Sequence, residues 1–161
     1  MNRLQRIFSD NWTIRRHDFE SFVSLIMPAI VAGNIEAASA KLNEDDKCTV
    51  KATAAPYMAK WYELDDISLP VDSIAVITLT GVLYSWESEW VAKQVEAAEL
   101  NPNICGIVFV IDGPGGMVSH LDMAAAAVEN CKKPTATVVT GIMASAHFWL
   151  GTASDRTLIA S

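Results

Sequence analysis

The sequence predicts an α/β fold: a parallel sheet of repeated strand–helix units over residues 71–161, preceded by a mainly helical and irregular segment over residues 1–70. Two observations carry this. From Ser73 onward, short apolar runs rich in β-branched residues recur, and the segments between them place apolar residues at helical spacing. Length and composition agree with one domain and a real core: 161 residues, 51% of them hydrophobic, with no internal repeat or low-complexity tract.

The first 65 residues read as helical and irregular. The opening run "MNRLQRIFSDNWTIRRHDFESFVSLIMPAIVAGNIEAASA" has basic residues, then an apolar stretch, then small residues, the outline of a secretory signal. Asp18 and Glu20 abut the stretch, however, Pro28 interrupts it, and Phe22 to Ala32 is too short to span a bilayer. A packed amphipathic helix and a cytoplasmic location are expected. The polar patch "KLNEDDKCTVK" reads as a solvated loop.

"SIAVITLTGVLY" (73–84) is a strand expected to be buried on both faces. "SWESEWVAKQVEAAEL" follows as a helix, with Trp86, Trp90, Val91, Val95 and Ala98 near helical spacing. "NPN" (101–103) is a turn, and "ICGIVFVI" (104–111) a second buried strand that ends in a glycine-rich turn at Asp112. "SHLDMAAAAVENCKK" opens with Ser119 and Asp122 as a capping box for an alanine-rich helix that Pro134 lets end. "TATVVT" (135–140) is the third strand, the segment after Gly141 the third helix, and "RTLIA" (156–160) a fourth strand. Strands that alternate with helices in this way lie parallel and are joined by right-handed crossovers.

A net charge of −7, with no arginine–lysine run, argues against nucleic acid and anionic membranes as partners. Cys48, Cys105 and Cys131 lack metal-type spacing; Cys105 begins an apolar run and reads as a reduced, buried thiol. His17, His120 and His147 are far apart and lack clustered cysteine or carboxylate companions, so no zinc site and no other cofactor is expected.

Open parallel sheets place their sites where strand ends lead into helices. Two such turns stand out. In "DGPGG" (112–116), paired glycines leave backbone N–H groups uncovered and let another chain approach closely. In "GIMAS", Ser145 falls near the amino end of a helix, where unpaired N–H groups favour developing negative charge. Together they can supply a nucleophilic oxygen, Ser145, and two amide donors for a tetrahedral oxyanion, Gly116 and Ala146. Two blander readings compete, an ordinary tight turn and a small packed serine. A phosphate-cradling loop would need a Gly-Lys-Ser/Thr ending, which is missing.

"GIVFVIDGPGGMV" followed by "KPTATVVTGIMASAHFWLGTASDRTLIAS" resembles the signal peptide peptidase A family of serine peptidases, over about residues 73–161. The resemblance implies a ClpP/crotonase-like fold, shared with phage and prophage members that act on capsid proteins. It implies Ser145 as the nucleophile and Gly116 and Ala146 as oxyanion donors. A peptide or protein substrate would lie extended along Gly115, Gly116 and Met117, adding a strand. It also implies a homo-oligomer and, for a phage member, a place in the phage head.

The chain departs from this family at one decisive place. The family uses a Ser–Lys dyad whose lysine follows the serine, and no lysine follows Ser145 in this sequence. The expectation is a member truncated at its C-terminus, weak or inactive alone, with an exposed edge that promotes self-association. His147 is no ready substitute, because two positions along a helix turn a side chain by about 200°. His120 is a distant candidate for the same cleft. Lys93 reads as solvated, and Lys132 and Lys133 as complements to their own helix dipole. Asp112–Gly113 and His147–Phe148 are milder departures. Three functions stay open: a serine endopeptidase, an inactive assembly component or remnant, and a crotonase-like acyl-CoA enzyme.

Overall fold

The computed structural model describes residues 3–44, 48–54 and 60–160. In chain order the elements are α1 (Arg3–Ser9), β1 (Trp12–Ile14), α2 (Arg16–Val31), α3 (Ile35–Glu44), β2 (Thr49–Ala54), β3 (Trp61–Tyr62), β4 (Ser73–Leu83), α4 (Ser85–Leu100), β5 (Ile104–Met117), α5 (Leu121–Glu129), β6 (Thr135–Met143), α6 (Ala146–Thr152) and β7 (Arg156–Ile159). One sheet runs β3-β2-β4-β5-β6-β7, with β1 added on β5. Strands β4 to β7 are mutually parallel, as the strand–helix alternation requires. The three earlier strands pair antiparallel.

The four later strands and their helices match the sequence reading closely. Helix α4 begins where the serine after Tyr84 predicts it, and the Glu87 carboxylate reaches back to accept the Tyr84 amide at 2.7 Å. Sequential parallel strands with crossovers of one hand put α4, α5 and α6 on the same face of the sheet. There Ala75, Ile77, Leu79, Ile107, Phe109 and Ile111 meet Val91, Val95, Leu121, Val128 and Leu150 in the main core. The expectation that these strands are buried on both faces is therefore corrected. Their alternate residues, Ile74, Val76, Val108, Val110, Ala136 and Val138, stay half-buried because no helix among the described residues covers them.

Other expectations also change. Residues before Ser73 supply three strands as well as helices. Residues 41–44 of the polar patch lie in α3 and residues 49–51 in β2, so these parts are not a loop; Asp45–Lys47 fall outside the described residues. Cys105 is exposed, because it lies on the uncovered face ahead of the first β6 partner, Ile107. Ser119 and Asp122 form no capping box. The Ser119 hydroxyl donates instead to Asp10 at 2.7 Å, and α5 starts from His120 in a left-handed conformation. Lys133 caps a different helix from its own, donating to the carbonyls of Ala98 and Asn101 at the end of α4.

A second, smaller core lies beneath α1, α2 and α3. Leu4, Ile7, Phe22, Ile26, Ala38 and Leu42 enclose Tyr84 and Met117, which extend from the ends of β4 and β5. The apolar stretch before Pro28 is thus a packed helix, as expected. Among the described residues, no helix is long and apolar enough to cross a membrane.

Candidate active site

Ser145 sits in the bend between β6 and α6 with φ 57° and ψ −115°. A non-glycine residue held at positive φ costs on the order of 1–3 kcal/mol and persists only where its surroundings dictate it. Here they do. The Ala144 amide donates to Gly113 at 3.2 Å, and the Trp149 amide donates to the Ser145 carbonyl at 3.0 Å. A sharp strand-to-helix bend of this kind lifts a serine hydroxyl clear of its own backbone.

The opposite wall is the end of β5. The sequence "DGPGG", read as a turn, is instead a continuation of the strand as far as Met117. Backbone pairing on both edges explains the difference. On one edge β4 follows it to Leu83↔Gly116. On the other, β6 leaves after Gly113↔Met143 to form the serine bend, and β1 takes its place through Trp12↔Met117, Thr13↔Gly116 and Ile14↔Gly115. Bonds from the Val118 amide to Asn11 (2.8 Å) and from the Arg15 amide to Pro114 (3.3 Å) bracket this ladder. Antiparallel alternation then makes Thr13 and Gly116 the pair that exchanges backbone hydrogen bonds.

Both glycines are sterically required. Gly115 has φ 114°, and a Cβ there would lie 2.8 Å from the Ser145 Cβ and 3.0 Å from the Ile14 Cα. A Cβ on Gly116 would lie 2.6 Å from the Leu83 carbonyl carbon.

Ser145, Gly115 and Gly116 are therefore brought together around Thr13, whose Oγ1 is hydrogen-bonded to the Ser145 Oγ. Ala146 is fully buried as the first residue of α6, so its amide has no acceptor within the helix. Met117 is different. Its side chain is buried in the second core, so only its backbone, paired with Trp12, lies on the edge of β5 that β1 covers. Thr13 was not legible as part of a site: three residues, Trp-Thr-Ile, are too short a signal without their partner strand.

His147 is 1% exposed, and its Nδ1 accepts the Gly115 amide at 3.2 Å. Burial holds its pKa down to about 4, with the nearby Asp112 charge opposing only in part. The ring is neutral near pH 7 and its proton resides on Nε2. It is a histidine bonded within the fold, as its helical angle predicted. His120 pairs with Glu89 at 3.1 Å, and the same carboxylate holds Arg6 at 2.7 Å. Lys93 is exposed on α4. Among the described residues, Thr13 is the hydrogen-bond partner of the Ser145 hydroxyl and no basic side chain reaches it. No group of three or more histidine, cysteine or carboxylate residues among them is placed to hold a metal there.

Residues 62–159 match the family model described as Clp protease. The chain belongs to the Clp protease family. Membership in the Clp protease family carries a serine-peptidase-like function at family level, and the sheet of mostly parallel strands has the ClpP/crotonase-like form. No curated protein matches the sequence. Among solved structures, an enoyl-CoA hydratase/isomerase family member is 15% identical over 56% of this chain and 45% of its own, with a TM-score of 0.49. A probable enoyl-CoA hydratase from Mycobacterium thermoresistibile is 17% identical over 58% of this chain and 47% of its own, also at 0.49. This chain thus spans a little under half the length of these structures.

Proposed function

We propose that this chain is a serine endopeptidase of the signal peptide peptidase A type, acting in the cytoplasm or the phage head on phage capsid proteins, as part of a homo-oligomer. Ser145 is the nucleophile. Its Oγ attacks the carbonyl carbon of an extended peptide lying along Gly115–Met117, and the oxyanion accepts hydrogen bonds from the Gly116 and Ala146 amides. A lysine base takes the hydroxyl proton and returns it to the leaving amine. Water then hydrolyses the acyl-enzyme. The described residues bring no lysine to Ser145, so the base comes to the site from elsewhere and the chain alone is a weak catalyst.

The observation that most supports this reading is the strained Ser145 facing a β5 edge where backbone already lies extended. A serine-reactive fluorophosphonate tests it. Slow labelling that maps to residue 145 and disappears in Ser145→Ala is expected. Labelling unaffected by Ser145→Ala overturns the assignment.

A further inference from the structure

The edge of β5 proposed to receive substrate is already filled by the chain's own residues. Trp12, Thr13 and Ile14 run antiparallel along Met117, Gly116 and Gly115, and the Thr13 hydroxyl is bonded to the Ser145 hydroxyl. By antiparallel alternation, the Gly116 amide donates to the Thr13 carbonyl. The donor proposed for the oxyanion is therefore engaged by a peptide carbonyl. Strand β1 is also anchored at both ends. Trp12 packs against Phe19, Phe22 and Tyr84, and its indole N–H donates to the Ile7 carbonyl at 3.1 Å. Beyond it, the Arg15 amide holds Pro114.

We infer that residues 12–14 act as a built-in pseudosubstrate, occupying the peptide-binding edge of β5 and capping Ser145 until a competing extended peptide displaces them. This rests on the reading of Ser145 as a peptidase nucleophile. It adds two features to that reading. A displacing peptide runs in the direction of β1, antiparallel to β5. It also carries a small or β-branched residue opposite Gly116, since the side chain at that position lies directly against the Ser145 hydroxyl. The anchoring of Trp12 makes access to the hydroxyl depend on local release of the N-terminal strand.

Access to residue 145 can be measured without catalysis. In Ser145→Cys, alkylation of the introduced thiol by iodoacetamide, followed by peptide mass mapping, is expected to be slow. Adding Thr13→Pro, which removes the amide of the paired residue, is expected to speed it by about tenfold or more. A synthetic peptide spanning residues 10–16 should slow it again. Equal rates with and without Thr13→Pro overturn the inference. Should Thr13→Pro fail to fold by circular dichroism, hydrogen exchange on the unsubstituted chain decides. Protection of the Thr13 and Gly116 amides supports the capped edge, and exchange as fast as at the fully exposed Ile67 overturns it.

Fluorophosphonate labelling of Thr13→Pro separates the two readings. If alkylation in Ser145→Cys responds to Thr13→Pro as expected but Ser145 stays unlabelled in Thr13→Pro alone, the occupied edge stands and the peptidase reading falls. If Ser145 labels equally fast with and without Thr13→Pro, the peptidase reading stands and the occupied edge falls.

Discussion

The Nδ1 of His147 accepts the Gly115 amide hydrogen inside the fold, tying α6 to the glycine-rich end of β5. Protonating that nitrogen would set one N–H against another in a site with little water. Above all, burial penalises the charged ring, so the folded chain resists protonation down to about pH 4, whereas an unfolded histidine takes up its proton near 6.5. Between those values the unfolded state binds more protons, so stability falls as pH drops from about 6.5 towards about 4. The loss amounts to about 3 kcal/mol if the whole shift is realised. His147→Asn keeps an acceptor and removes the titration. Urea midpoints measured across this window should fall steeply for the natural sequence and flatten in the variant.

The backbone at Ser145 predicts an order of stabilities. Ser145→Ala and Ser145→Gly both lose the bond to Thr13, but only glycine adopts φ 57° freely. Ser145→Gly should therefore be more stable than Ser145→Ala by about 1 kcal/mol, after allowance for the greater freedom of glycine when unfolded. Denaturant titration of the pair measures this difference directly.

Gly116→Ala brings a methyl group against the Leu83 backbone, which is fixed in the β4–β5 ladder and cannot swing aside like a flexible side chain. A loss on the order of 3 kcal/mol is expected, together with loss of any labelling at Ser145. Near-natural stability in thermal melts would show that β4 yields there.

Among the described residues, strand β7 is a sheet edge on which Leu158 is 57% and Ile159 80% exposed. Unpaired edges that carry apolar side chains favour pairing with another chain. Sedimentation of the natural sequence should show concentration-dependent association, and Ile159→Lys should reduce it. Unchanged association would move the contact elsewhere.

Much of this was legible in the sequence, and the failures share a cause. The β-branched runs and helical spacings located β4 to β7 and α4 to α6 because each element carries its own periodic signal. The bounds of α4 were read to the residue. The far end of β5 was not, since "DGPGG" has the composition of a turn and becomes strand only through partners at Val82, Leu83 and Thr13. Strand β1 failed for the same reason, being three residues long and defined by a partner far along the chain. The Ser119–Asp122 cap was a sound local reading, displaced by a distant competitor, Asp10. Ser145, Gly115 and Gly116 could be singled out from their positions at strand ends. The threonine against that serine could not.

Tyr84 follows Leu83 directly, yet the two side chains lodge in different cores. Met117 likewise carries β5 out of the sheet's own interior and into the one built by the first three helices. Adjacent strand tips are thus nailed down by a separate block of chain, like two beams socketed into a neighbouring wall. Loosening that wall at Ile26 or Leu42, which lie in the helices rather than at the bend, would let both tips sag and blur the alignment of the serine with its facing amides.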